Sequence, residues 1–100
     1  MSLFQQYPLQ HYLLVGAVPA SKADFLAMLR YVSRFTPVVG TDEAEACRAV
    51  HVTILGGLSA IPAAVEQTLR TGGVQVQRIA TDYAATLNRL IAEGKPYLNT

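Results

Sequence analysis

Apolar positions along this chain follow two alternating rhythms. Short, nearly continuous runs at 11–17, 36–40, 50–55 and 74–80 predict strands, and segments repeating every three or four residues predict helices between and after them. The first run carries Tyr12, Leu13, Leu14 and Val15 unbroken, as expected of a strand covered on both faces. A helix follows at 21–35. Ser21 with Asp24 resembles a capping box, and Phe25, Met28, Leu29, Val32 and Phe35 form one apolar stripe, leaving Lys22, Arg30 and Arg34 to solvent. At 36–40, Pro37 stands near the start of the strand, where a missing amide does least harm. A weak helix at 42–49, capped by Thr41 or Asp42, leads into the run at 50–55, which Gly56-Gly57 closes. Ser59 opens the next helix, with Pro62 in its first turn and Ile61, Val65 and Leu69 inward, and Gly72-Gly73 stops it. At 74–80, Val74, Val76 and Arg78 alternate with Gln75, Gln77 and Ile79, a more polar pattern that suits a sheet edge. The last helix begins near Thr81 or Asp82, buries Leu87, Leu90 and Ile91, and ends at Gly94 and Pro96. Asp24 and Asp82 both read as first-turn capping residues.

Strands alternating with helices predict an α/β fold. The expected architecture is a three-layer sandwich: a small four-stranded parallel sheet in the order 2-1-3-4, with helices on both faces. That order places the two most apolar strands centrally. Residues 1–100 read as one domain, with an N-terminal arm at 1–10, a core at 11–94 and a tail at 95–100. Leu3, Phe4, Tyr7 and Tyr97 make both termini apolar enough to pack on the domain or reach a neighbouring subunit.

Hydrophobic residues make up 51% of the chain and charged residues only 15%, so there is little charge to cover the surface. Some apolar surface is therefore expected to stay exposed. An identical subunit is the simplest partner to cover it, in a dimer or a trimer. The net charge of +1 is scattered, and the absence of a basic stripe argues against nucleic acid. The single cysteine, Cys47, excludes an internal disulfide and any cysteine-based zinc site. No apolar stretch approaches the ~20 residues of a bilayer span. Residues 1–10 lack the basic start and long apolar stretch of a signal peptide, so the chain as given is expected in the cytoplasm. As a piece of a longer protein it would belong at the cell surface.

Glycines stand at or near three strand ends: Gly16, Gly40 and Gly56-Gly57. Open parallel sheets bind ligands outside those carboxyl ends, where helix N-termini offer free amides; the same glycines also serve simple tight turns. Neither the Walker pattern nor the dinucleotide glycine pattern occurs. The central strand ends carry glycine where a phosphoacceptor domain needs aspartate. Cys47 lies within the weak helix rather than at a loop mouth, and a helix-to-strand boundary separates it from His51. His11, at the start of a strand, reads as structural. Asp42, Glu43 and Glu45 favour a helix start and offer no loop framework for a metal. The expectation is a chain without cofactor, metal site or catalytic constellation, and not an enzyme.

The second half carries a resemblance. Val52-Thr53-Ile54-Leu55-Gly56-Gly57 is followed by Ser59-Ala60-Ile61-Pro62, Val65 and Leu69, then Val74, Val76, Arg78-Ile79-Ala80, Asp82-Tyr83 and Thr86. This is similar to the cell wall-binding repeat 2 family, whose repeats carry a strand ending in two glycines, a helix, and an arginine-isoleucine strand. Upstream, Asp24-Phe25-Leu26 stands where the family has Asp-Ala-Leu, and Thr36-Pro37-Val38-Val39 where it has a Pro-led apolar strand. Coverage is one repeat unit, about 11–90. Here Thr81 replaces the family's glycine, Asp82 runs directly into Tyr83, and the second arginine is missing. The family's proteins are typically secreted, pack three tandem repeats as a pseudo-trimer, and hold anionic wall polymers. The resemblance therefore implies a self-associating, non-catalytic binding module, as a homotrimer imitating the three repeats, with affinity for an anionic polysaccharide. It makes Arg78, Asp82 and the backbone at Gly56, Gly57 and Ser59 the candidate ligand-binding residues. The alternative is a small intracellular enzyme or nucleotide-binding regulator that uses the crevice at the strand ends.

Overall fold

The structure is a computed structural model, and it describes residues 9–16 and 21–98. Leu3, Phe4 and Tyr7 of the expected arm, and Ala17 of the first expected strand, lie outside the described residues. In chain order the elements are β1 (Leu9–Val15), α1 (Lys22–Phe35), β2 (Val38–Gly40), α2 (Glu43–Ala46), β3 (Ala49–Leu55), α3 (Ala63–Thr71), β4 (Gln75–Ile79) and α4 (Tyr83–Glu93). The four strands form one parallel sheet in the order β2-β1-β3-β4. This is the α/β sandwich that the alternating pattern predicts.

The strand order dictates where the helices lie. The chain steps outward from β1 to β2, then returns across β1 to β3 and continues to β4. With right-handed crossovers, a reversal of direction along the sheet demands a change of face. Accordingly α1 packs with α4 on one face, around Leu13, Val15, Leu55, Ile79, Leu87 and Leu90. On the other face α2 and α3 cover Tyr12, Leu14, Val52 and Ile54, with Leu69 of α3 in the same core. Alternate residues of β1 and β3 thus feed two separate cores, which is why those runs read as continuous apolar sequence. Each fully buried leucine or isoleucine there contributes about 2 kcal/mol.

Several boundaries move for identifiable reasons. The first strand begins at Leu9, whose N–H reaches the Arg48 carbonyl at 3.2 Å. Thr36 belongs to no strand: at φ 49° it is the left-handed cap of α1, and its N–H donates to the Val32 carbonyl at 2.8 Å. The weak second helix shortens to a single turn at Glu43–Ala46, capped by Asp42, whose Oδ1 accepts from Ala44 N at 2.9 Å. The third helix starts at Ala63 rather than Ser59 because the residue before a proline is disfavoured in helical geometry. Residues 57–61 form turns instead. Among the described residues, no helix is long and apolar enough to cross a membrane.

Candidate functional site

The carboxyl ends of the strands share one rim. Gly40 is paired in register with Leu14, Gly16 N–H donates to the Leu55 carbonyl at 3.0 Å, and Gly56 N–H donates to the Ile79 carbonyl at 3.0 Å. The chain reverses its direction of travel between β1 and β3, and open α/β sheets part their connecting loops at that point. A cleft of about 260 Å³ lies there. Val15 and Gly16 form its floor, Thr41 and Glu43 one wall, and Ala60, Ile61, Pro62 and Val65 the other. Gly16 permits the close approach: a Cβ at that position would sit 2.6 Å from Ile61 Cγ1 and 3.0 Å from Ala60 Cβ. Gly56, at φ +146°, adopts backbone geometry that side chains rarely tolerate. The polar side chains of the cleft are a hydroxyl and a carboxylate, and among the described residues no lysine or arginine lines it. Such a lining suits a small neutral or cationic group better than a phosphate.

The five residues singled out from the sequence are only partly brought together. Arg78 and Gly56 meet directly, since Arg78 Nη1 donates to the Gly56 carbonyl at 2.9 Å. Arg78 Nε donates to Glu66 Oε1 at 2.9 Å, and the other oxygen of that carboxylate lies 2.6 Å from Arg70 Nη1. The Arg78 side chain is only 12% exposed, so its charge is already engaged inside the fold, tying β4 to α3 and to the glycine turn. Among the described residues its Nη2 is buried without a partner. The Gly57 carbonyl accepts from Ala60 N and Ile61 N at 3.1 and 3.0 Å, while Ser59 is exposed on that turn. Asp82 stands apart, exposed at the start of α4 in the left-handed region at φ 52°, and its side chain makes no cap. The cap that its sequence position suggests comes instead from Asp24, whose Oδ1 accepts from Ala84 N at 3.0 Å.

A second constellation, absent from the sequence reading, lies on the α1–α4 face towards the amino ends of the strands. His11 and His51 are register partners on neighbouring strands. His11 Nε2 and Thr53 Oγ1 share a hydrogen bond at 2.8 Å, and Gln77 Nε2 donates to the same Oγ1 at 2.8 Å. Tyr31 brings its hydroxyl within 3.5 Å of both His11 and Thr53 and donates to the Pro96 carbonyl at 2.7 Å. The Tyr97 ring lies over His51, with centroids 4.0 Å apart, and edge-on to His11 at 5.0 Å. Burial, and then His51 beside it, depresses the His11 pKa to about 4. Burial pushes the Tyr31 hydroxyl up to about 12, against the opposing pull of its hydrogen bond to Thr53. Burial also lowers His51 and raises Tyr97.

A hydroxyl 2.8 Å from an imidazole matches the spacing of a nucleophile and its base. Thr53 is 0% exposed and His11 7%, however, and the chain's own tail covers them. The groups satisfy one another, as buried polar groups must. Strand parity carried the signal for this cluster: positions 11, 51, 53 and 77 are polar and face the same side.

Comparison with family models, with curated proteins and with solved structures finds no match for this chain. The likeness to the cell wall-binding repeat 2 family therefore rests on the residues that carry it.

Proposed function

We propose that this chain is a non-catalytic binding and assembly module that associates with copies of itself along the open edge of its sheet at β2. The carrying observation is that Val38 and Val39, on opposite faces of this three-residue edge strand, are 40% and 45% exposed. Leu26 and Leu29 on α1 add 38% and 45% exposure three residues apart. Edge strands are usually guarded by charge or by covering groups. At the opposite edge β4 is guarded: Arg70 Nη2 donates to the Val76 carbonyl at 3.4 Å, and Gln75, Gln77 and Arg78 interrupt the apolar pattern. Among the described residues no such guard stands on β2. A two-fold axis through that edge would pair β2 with its copy.

Sedimentation or light scattering on the unaltered chain tests this reading. Association at micromolar concentration is expected, with loss of association in Val39→Lys. A stable monomer at those concentrations would remove it.

An anionic polysaccharide remains the ligand class that the family resemblance suggests. With Arg78 already paired, the exposed turn carrying Gly57 and Ser59 is the part of that block left to meet it. A retention assay on an anionic wall polymer tests this; equal retention of a neutral polymer would reject it.

The cleft supports a second reading, a regulator that binds a small molecule at the strand ends. Its volume falls just below the usual range for ligand pockets, roughly 300–1,000 Å³. Thermal stabilisation by small neutral or cationic compounds favours this reading. Stabilisation by nucleotides is not expected there, since among the described residues no cation lines the cleft.

A further inference from the structure

We propose that residues 96–98 form an acid-released strap, held over the sheet while His11 and His51 are neutral and let go when those rings take up protons. This inference is independent of the self-association reading.

The strap is held by side chains rather than by a strand ladder. Gln77 reads it as one strand reads another: Nε2 donates to the Pro96 carbonyl at 3.0 Å, and Oε1 accepts from Leu98 N at 2.6 Å. Tyr31 adds its hydroxyl to the same Pro96 carbonyl. Leu98 packs against the core beneath α1 and α4. The segment hinges at Gly94, which ends α4 in the left-handed region at φ 70°. Gly94 N–H and Lys95 N–H close the helix end on Ile91 and Leu90 carbonyls at 3.1 Å each. These bonds are complete before the strap begins, so its departure need not unwind the helix.

The histidines sit directly beneath Tyr97, and their surroundings favour two neutral rings. Around them stand Tyr31 from α1, Thr53 from β3, Gln77 from β4 and Tyr97 from the strap itself. The charged side chain that these contacts place at the margin is cationic: Arg34, 5.2 Å over the Phe35 ring that packs on Tyr31. From α4, Arg89 and Glu93 are exposed. Among the described residues, no carboxylate pairs with either imidazole. A proton on His11 therefore meets burial, a neighbouring His51 and, among the described residues, no counter-charge. Opening the strap admits water to both rings, so proton uptake and opening are linked.

The test is NMR on the full chain between pH 7.5 and pH 4.5, following amide-exchange protection corrected for intrinsic rate. Leu98 protection is expected to fall about tenfold or more between pH 7 and pH 5, while Leu13 and Ile54 stay protected. The fall is expected to disappear in a His11→Gln, His51→Gln double variant. Loss of Leu98 protection only together with Ile54 would overturn the proposal, because that is whole-domain unfolding. An unchanged acid response in the double variant would also overturn it. If that variant fails to fold, His51→Gln alone decides: a smaller acid response supports the proposal and an identical one ends it.

Discussion

Asp24 caps a helix to which it does not belong: its Oδ1 accepts the Ala84 N–H of α4 at 3.0 Å, across sixty residues of sequence. The bond pins the start of α4 to the start of α1, and the two helices then pack along each other. Asp24→Ala should therefore cost about 1 kcal/mol, the usual value of an N-cap. Asp82→Ala should cost less, since its side chain caps nothing. Asp82→Gly should be neutral or stabilising, because glycine relieves the left-handed backbone. Urea unfolding of the three variants checks the order.

Glu66 holds two arginines with one carboxylate, and the pair with Arg78 is mostly buried, at 12% and 16% side-chain exposure. Truncating Glu66 to alanine strands the Arg78 charge. That should cost about 3 kcal/mol, whereas Arg78→Met, which removes the charge itself, should cost distinctly less. A larger loss for Arg78→Met in denaturant titration would mean the guanidinium does more than pair.

His11 gives stability a predictable pH dependence. Its folded pKa, about 4, lies below the ordinary 6.5, so the unfolded chain binds the proton more readily. The contribution is complete above pH 6.5, declines as pH falls towards 4, and is flat below that. A full shift of this size corresponds to about 3 kcal/mol. Stability of the wild-type chain and of His11→Gln, measured from pH 7.5 to 4, should converge as the pH drops. Parallel curves would count against a neutral, buried His11.

Gly16→Ala should close the cleft from below. The new methyl would sit 2.6 Å from Ile61 Cγ1, an atom near the root of that side chain, so the turn must shift at a cost of about 1–3 kcal/mol. Any compound that stabilises the unaltered chain through the cleft should lose its effect in this variant. Retained stabilisation would place that compound elsewhere.

Val39→Lys should raise the dissociation constant of the self-associated form at least tenfold while changing monomer stability by no more than about 0.5 kcal/mol. Sedimentation velocity over a concentration series, beside urea unfolding, separates the two effects.

The sheet was readable from the chain because β1 and β3 are continuous apolar runs and the intervening stripes have helical spacing. Short elements were less legible. Pro62 carries a local boundary signal, because the residue before a proline avoids helical geometry, whereas the left-handed turn at Thr36 has no such mark in the sequence. Asp24 and Asp82 looked equivalent, and only the fold shows which of them reaches a free amide. The glycine rim could be anticipated, since tight strand-to-helix turns require such residues. The polar corner was legible only in part: strand parity puts His11, His51, Thr53 and Gln77 on one side, but Gln77 acquires its meaning from a tail that arrives from the far end of the sequence. The ligand reading of Arg78 came with the family resemblance, which carries no sign of its partner: Glu66, twelve residues earlier on another element, pairs with it.

The unequal margins of the sheet have a consequence for how far assembly runs. Arg70 occupies the carbonyl that a newcomer beside β4 would need, so a pair of copies joined at β2 presents a stoppered flank at either extremity. On the self-association proposed above, joining by that route should be self-limiting: it should end at two and give no fibrous growth.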